Sequence, residues 1–309
     1  MNGIVIIDKP QGMTSHDVVS FLRRETGVKR IGHTGTLDPM ATGVLPVFIG
    51  KATRLIEYAG VPGSHEAKQY LCDIKFGLET DTQDIWGETL SNNGDLPNTR
   101  EIERVLKGFE GQGSQRPPMY SAVKVGGRKL YDYARKGDEV DASLIRERSV
   151  YIKQIIVKEI NEALGEAVFE VICSKGVYIR TLCADAGRLL GCGAVMSGLR
   201  RLKSDGFSID DAVALDGTGS EGARAKHLLP MDQALGWMRR IDLSESGSQS
   251  FTSGRLAASA EPFEAEADDD NGCGRLVRVY GPGGFLGVGR ISSGETRGSA
   301  TVKPEKVLV

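Results

Sequence analysis

The chain has 309 residues, 40% of them apolar and 26% charged, with 40 Gly and 11 Pro. These are globular proportions. They exclude chain-wide disorder and a collagen-like repeat, and at roughly 150 residues per domain they allow about two domains. The longest apolar stretches, such as Val44 to Ile49, are far short of the roughly 20 residues a membrane helix needs. The first ten residues have no basic leader and only four consecutive apolar positions, so no signal peptide is expected and the expected location is cytoplasmic. The five cysteines (Cys72, Cys173, Cys183, Cys192, Cys273) form no CxxC pair and read as reduced, buried small residues. The four histidines (His16, His33, His65, His227) lie on separate segments without ligand spacing, so no metal site is expected.

A net charge of −2 argues at first against a nucleic-acid partner, but the average conceals a gradient. Residues 100 to 204 carry 19 basic and 13 acidic side chains. Clusters at Lys124/Arg128/Lys129, Arg135/Lys136 and Arg200/Arg201/Lys203 are spaced by Gly and Tyr, and several such clusters together point to an anionic partner.

In chain order, Ile4 to Ile7 reads as a strand that turns at Asp8 to Gly12. Thr14 or Ser15 caps a helix with Val18, Val19, Phe21 and Leu22 on one face, ended by Gly27. Ile31 to Gly43 is Gly-rich and polar and reads as a loop. Tyr70 to Phe76 is a strand followed by an acidic, turn-rich stretch from Glu79 to Asp84, and Ile102 to Phe109 is an amphipathic helix. The β-branched segments 150 to 158 and 167 to 173 form a strand pair joined through Asn161 to Gly165. Ile179 to Leu190 is a helix capped by Gly191. Residues 214 to 226 have loop composition, and the acidic run from 259 to 274 reads as a mobile loop. A strand, turn, strand pattern from Arg275 to Ile291 places a small β-rich domain at the C-terminus. Strands and helices do not alternate as βαβ units, so the class is α+β.

Common nucleotide and hydrolase motifs fail. Leu45 occupies the first-glycine position of a phosphate loop ending at Gly50-Lys51-Ala52-Thr53, no dinucleotide fingerprint is completed, and no GxSxG elbow occurs. What remains is Gly32-His33-Thr34-Gly35-Thr36-Leu37-Asp38-Pro39-Met40-Ala41-Thr42-Gly43. In it Pro39 disfavours the helical region for Asp38, so the carboxylate is presented in a fixed direction.

This string closely resembles the motif around the catalytic aspartate of the bacterial tRNA pseudouridine-55 synthases, the TruB family of pseudouridine synthases. Further blocks resemble the family in the same order: Ile6 to Ser15, Lys68-Gln69-Tyr70, Pro118 to Lys124 with Leu130 to Gly137, Cys173 to Thr181, and Leu199 to Leu202. Together they cover nearly all of residues 1 to 235. The resemblance implies a pseudouridine synthase fold with a mixed, largely antiparallel central sheet flanked by helices over residues 1–238. It implies, less specifically, a PUA-like RNA-binding domain over 239–309, from which the acidic stretch Glu261 to Asp270 departs.

The activity implied is an isomerase, a tRNA pseudouridine(55) synthase that flips uridine 55 of the T loop out of its stack and needs no cofactor. Its catalytic residues would be Asp38, Tyr70 and Arg180. Arg180 would pair with Asp38 and keep it ionised; Tyr70 would stack on the base and help move the C5 proton. Tyr178 and Leu199 would complete the substrate pocket, and His33 would fill the vacated stack. The implied partner is tRNA through its T stem-loop, with no obligatory protein partner, no membrane, and a monomeric state. The alternative reading is a guide-dependent or non-catalytic RNA-binding or RNA-folding protein of the same fold.

Overall fold

The computed structural model describes residues 1–61, 66–215, 227–258, 276–293 and 300–309. The expectations for His65, for most of the loop-like 214–226 segment, for the acidic run and for Arg275 fall outside these residues. The described elements begin with β1 (Gly3–Lys9), α1 (Ser15–Thr26), β2 (Ile31–His33), β3 (Thr42–Ile49), β4 (Lys68–Phe76), β5 (Leu78–Thr80) and β6 (Thr89–Asn92). They continue with α2 (Thr99–Lys107), β7 (Gly111–Gln115), β8 (Lys124–Val125), β9 (Arg128–Lys129), α3 (Leu130–Ala134), β10 (Arg148–Asn161), β11 (Glu166–Cys173), α4 (Ile179–Leu190), β12 (Ala194–Ser204), β13 (Phe207–Ser208) and β14 (Val213–Ala214). The last are β15 (Arg239–Asp242), α5 (Glu245–Thr252), β16 (Ala257–Ala258), β17 (Leu276–Gly281), β18 (Gly284–Ser293) and β19 (Ala300–Val307).

A ten-stranded sheet runs in the order β14-β1-β3-β12-β4-β11-β10-β7, with β2 added to β3 and β13 to β12. Only the β1/β14 and β3/β12 pairings are parallel, so the sheet is mixed and largely antiparallel, as expected. Helix boundaries follow from local chemistry. Thr14 caps α1 in a reciprocal capping box with Asp17, and Gly27 closes it in the left-handed region. Gly191 closes α4 in the same way.

The loop expected from Ile31 to Gly43 is corrected at both ends, for Thr42 and Gly43 already belong to β3. Ile31–His33 is a short strand, held by antiparallel pairing to the far end of β3 at Ile31/Ile49 and His33/Val47. Glycine is required at position 43, where φ is +99° and an added Cβ would sit 2.2 Å from the Arg201 carbonyl oxygen. This close approach lets β3 run beside β12 at the Arg201/Gly43 register.

One core lies where α2 and α4 pack on the sheet, with Ile102, Leu106, Leu182, Cys183 and Ala186 against Cys72, Ile74 and Phe169. Another joins α1 to the sheet through Val18, Val19 and Leu22. Beyond it, a separate β domain is built on a five-stranded sheet in the order β15-β17-β18-β19-β16. It has its own core around Phe251, Val277, Val279 and Val302, and reaches the large sheet where Val288 and Leu308 meet Ile4, Ile6 and Phe48.

Candidate active site

Four segments converge on one cleft of about 410 Å³. They are the Thr34–Asp38 loop, β4 with Lys68 and Tyr70, the 175–180 segment entering α4, and β12 with Met196, Leu199 and Arg201; Tyr120, Ser121, Ala122 and Tyr131 border it as well.

The Asp38 loop is irregular, so its shape depends on tethers from outside it. The Ser15 hydroxyl accepts from the Leu37 amide at 2.8 Å and donates to the Leu37 carbonyl at 3.1 Å. The Gly12 amide donates to the Pro39 carbonyl at 2.8 Å. Lys9, wholly buried, donates to the Met13 carbonyl at 2.7 Å and the Pro10 carbonyl at 2.9 Å. Burial pushes the Lys9 ammonium down to about 8, against the pull of Asp38. Arg201, 1% exposed, donates from Nε to the Val44 carbonyl at 2.7 Å and from Nη2 to the Gly35 carbonyl at 3.1 Å. A basic cluster read from the sequence as pointing to an anionic partner is therefore partly internal: Arg201 holds the Asp38 loop, and Arg200 pairs with Asp8 at 2.8 Å.

Arg180 enters from the first turn of α4 and is 5% exposed. Its Nε lies 2.9 Å from Asp38 Oδ2, and its Nη2 donates to Oδ1 at 3.3 Å. This two-pronged contact sets the plane of the carboxylate. The remaining guanidinium protons go to the Thr82 carbonyl at 3.0 Å and the Tyr120 carbonyl at 2.8 Å, and Asp84 Oδ2 stands 3.9 Å from Nη1. The Asp38 side chain keeps 36% exposure to the cleft. Burial raises its carboxyl above the ordinary value, Arg180 pulls it down and Asp84 pushes it up, and the net direction is upward. The pairing expected from the sequence is present, but burial outweighs it.

Tyr70 lies on the buried face of β4 with Lys68 and Cys72, following the two-residue alternation of a strand. Burial pushes its phenol up to about 12, so it stays protonated through the neutral range. Tyr178 is the N-cap residue of α4. Its amide donates to Gln115 Oε1 at 2.9 Å, and Gln115 Nε2 donates back to its carbonyl at 3.3 Å. Leu199 faces the same cleft from β12. Thus five of the six candidate residues, Asp38, Tyr70, Tyr178, Arg180 and Leu199, line one space.

His33 does not line it. It ends β2 beside Thr34, and burial lowers its imidazole below the ordinary value. Asp84, Lys9, Lys68, Arg201 and the Tyr120 carbonyl were not assigned to the site from the sequence. Each nevertheless lies in a segment already named: Asp84 in the acidic turn at 79–84, Lys68 in the Lys68-Gln69-Tyr70 block, Lys9 in Ile6 to Ser15, Tyr120 in Pro118 to Lys124 and Arg201 in Leu199 to Leu202. Among the described residues, no group of three or more His, Cys, Asp and Glu side chains is placed to hold a metal ion.

Residues 23–179 match the TruB family pseudouridylate synthase N-terminal domain, and residues 180–236 match the tRNA pseudouridylate synthase B C-terminal domain. The tRNA pseudouridine synthase B of Alkaliphilus oremlandii (strain OhILAs) is 44% identical over 289 residues, spanning 94% of this chain and 93% of the relative. That of Clostridioides difficile (strain 630) is 37% identical over 313 residues and spans 100% of both. A chain in the crystal structure of a Cbf5-Nop10-Gar1 complex superposes with a TM-score of 0.70 at 27% identity, covering 99% of this chain and 85% of that one. The paired Asp38 and Arg180 thus sit in a pseudouridine synthase fold, and the chain belongs to the TruB family of pseudouridylate synthases.

Proposed function

We propose that this chain is a stand-alone tRNA pseudouridine synthase that isomerises uridine 55 of the T loop. The observation that carries the reading is the two-pronged Arg180–Asp38 pair at the base of a cleft walled by Tyr70, Tyr178 and Leu199. The reaction breaks the bond from C1′ to N1, turns the freed uracil and rejoins it through C5, with no net redox change. Asp38 supplies a carboxylate that attacks C1′ or removes the 2′ proton; both roles need its ionised form, and Arg180 favours that form while fixing its direction. Tyr70 offers a flat face for the base and a neutral hydroxyl for the C5 proton.

The base leaves its stack to reach the cleft, at a cost of a few kcal/mol. His33, beside the mouth of the loop, is assigned to the vacated position. Residues 1–238 are the catalytic unit and 239–309 a PUA-like RNA-binding unit in this reading, and the protein acts as a cytoplasmic monomer.

Tritium release from a tRNA transcript labelled at C5 of uridine tests the proposal. Release by the purified protein, loss in Asp38→Asn, and loss with cytidine at position 55 are the expected results. Release that survives Asp38→Asn overturns the assignment of the site. The likeness to a chain of the Cbf5-Nop10-Gar1 complex favours partner-dependent action as the second reading, and an inactive isolated protein that still binds tRNA would select it.

A further inference from the structure

Behind the cleft, Asp205 lies in the two-residue turn between β12 and β13. Ser204 pairs with Phe207 across the turn, and both Asp205 (φ +54°) and Gly206 (φ +90°) occupy the left-handed region. That is the geometry of a type I′ hairpin, which both Asp-Gly and Asn-Gly favour. Turn chemistry therefore accounts for a short polar residue here. It does not account for where the carboxylate goes.

The Asp205 side chain is 0% exposed. Its Oδ2 accepts from Lys68 at 2.8 Å, and its Oδ1 lies 3.0 Å from the Lys175 ammonium. Lys68 also donates to Ser204 Oγ at 2.7 Å, and Lys175 to the Ala59 carbonyl at 2.8 Å. The two lysines belong to different walls of the cleft. Lys68 stands two residues before Tyr70 on the same face of β4, and Lys175 stands in the loop that leads through Tyr178 to Arg180. One buried anion thus cross-links the strand bearing Tyr70, the loop bearing Tyr178 and the hairpin end of the strand bearing Leu199.

We propose that Asp205 is a positioning residue for the reaction, its carboxylate fixing the separation between the Tyr70 strand and the Tyr178–Arg180 segment through Lys68 and Lys175. The inference rests on the reading of Asp38, Tyr70 and Arg180 as the reacting site. Asp205 touches no reacting atom and acts through the two lysines. Without the negative charge, Lys68 faces Arg201 and Lys175 with no buried anion between them, and the walls separate.

Asp205→Asn is the decisive variant, because asparagine keeps the turn and the shape of the side chain and removes only the charge. It is assayed by single-turnover tritium release at saturating enzyme, whose rate constant does not change when part of the protein is misfolded. The expected result is a rate constant at least tenfold lower, with a KM for tRNA in steady-state assays that is unchanged or lower, since the site gains net positive charge. Lys68→Met should be slow as well, and the double variant no slower than the slower single one.

Lys175→Met serves if the Asp205 variant does not fold, because the Lys175 side chain is half-exposed. A threefold or greater fall in the rate constant, at an unchanged melting temperature, is expected of it. A rate constant within twofold of wild type in Asp205→Asn, or in Lys175→Met where the former does not fold, overturns the proposal, as do multiplicative effects in the double variant. Asp38→Asn in the same assay keeps the two readings apart: if it remains active, the site assignment has failed, whatever the Asp205 variants do.

Discussion

The base of the cleft and the arm from about residue 118 to 137 hold cations of the same kind in opposite circumstances. At the base, Lys9, Lys68, Arg180 and Arg201 are all no more than 6% exposed, and each has protein acceptors. On the arm, Lys124, Arg135 and Lys136 are exposed. Its Arg128 lies 4.1 Å from the Tyr133 ring centroid and Lys129 5.1 Å from that of Tyr131. A buried cation that loses its partner costs about 3–5 kcal/mol, so its geometry is effectively fixed; an exposed one is worth about 1 kcal/mol or less to the fold and is available to phosphate. Of the basic residues in 100–204, Arg180 and Arg201 are thus buried and engaged by protein acceptors, while the exposed cations of the arm are free to meet an anionic partner. Chemistry should fail when the first set is changed, and affinity when the second is.

The largest effect belongs to the group the buried set serves. Asp38→Asn should lower the rate constant by at least about 10³-fold while tRNA binding, measured by filter retention, stays within a fewfold of wild type. Arg180→Met should lower it by about 10²-fold and carry a pH signature. Asp38 is already raised by burial and held back by Arg180. Removing Arg180 leaves burial and Asp84 opposed only by the weaker pull of Lys9, so the carboxyl rises further. A reaction that needs the ionised form loses rate as pH falls, and in this variant the loss should begin at higher pH than in wild type. An acid limb that stays in place would show that Arg180 does not tune Asp38.

Tyr70→Phe should slow release by about tenfold with little change in KM, since the stacking face is kept. Because the phenol is pushed up to about 12, wild type and variant should have the same pH profile from 6 to 9. An alkaline limb that disappears on substitution would contradict a neutral hydroxyl.

The same division explains what could be read from the sequence. The C-terminal ends of helices α1 and α4 were legible to the residue, because Gly27 and Gly191 signal caps within a single turn, and Thr14 was one of two candidate caps for the start of α1. Strand β2 was not. Ile31–His33 has a glycine at its centre and exists through pairing with Val47–Ile49, sixteen residues away, which local pattern does not encode. Asp38, Tyr70 and Arg180 were found through a resemblance of whole motifs, and their convergence, across 142 residues between Asp38 and Arg180, is a product of sheet topology. Lys68, Asp84, Arg201 and Asp205 escaped because a charged residue in a sequence reads as surface by default; only burial reveals that each holds something in place. Arg200-Arg201 shows the limit most plainly, since adjacent residues of one apparent basic patch divide between a half-exposed pair with Asp8 and a fully internal tether.

The smallest effect on chemistry should come from the arm. Lys124, Arg135 and Lys136 replaced together by Ala remove three exposed cations while leaving the Asp38 tethers intact. If they contact phosphates, KM for tRNA should rise by about tenfold near physiological salt. The slope of log affinity against log salt should become shallower by about 2 to 3, since each neutralised phosphate contributes somewhat under one unit. The saturated rate constant should not move. A fall in that constant without a change in salt slope would place these cations with the buried set and remove the distinction between holding and gripping, because the arm would then be positioning the base rather than attracting the RNA.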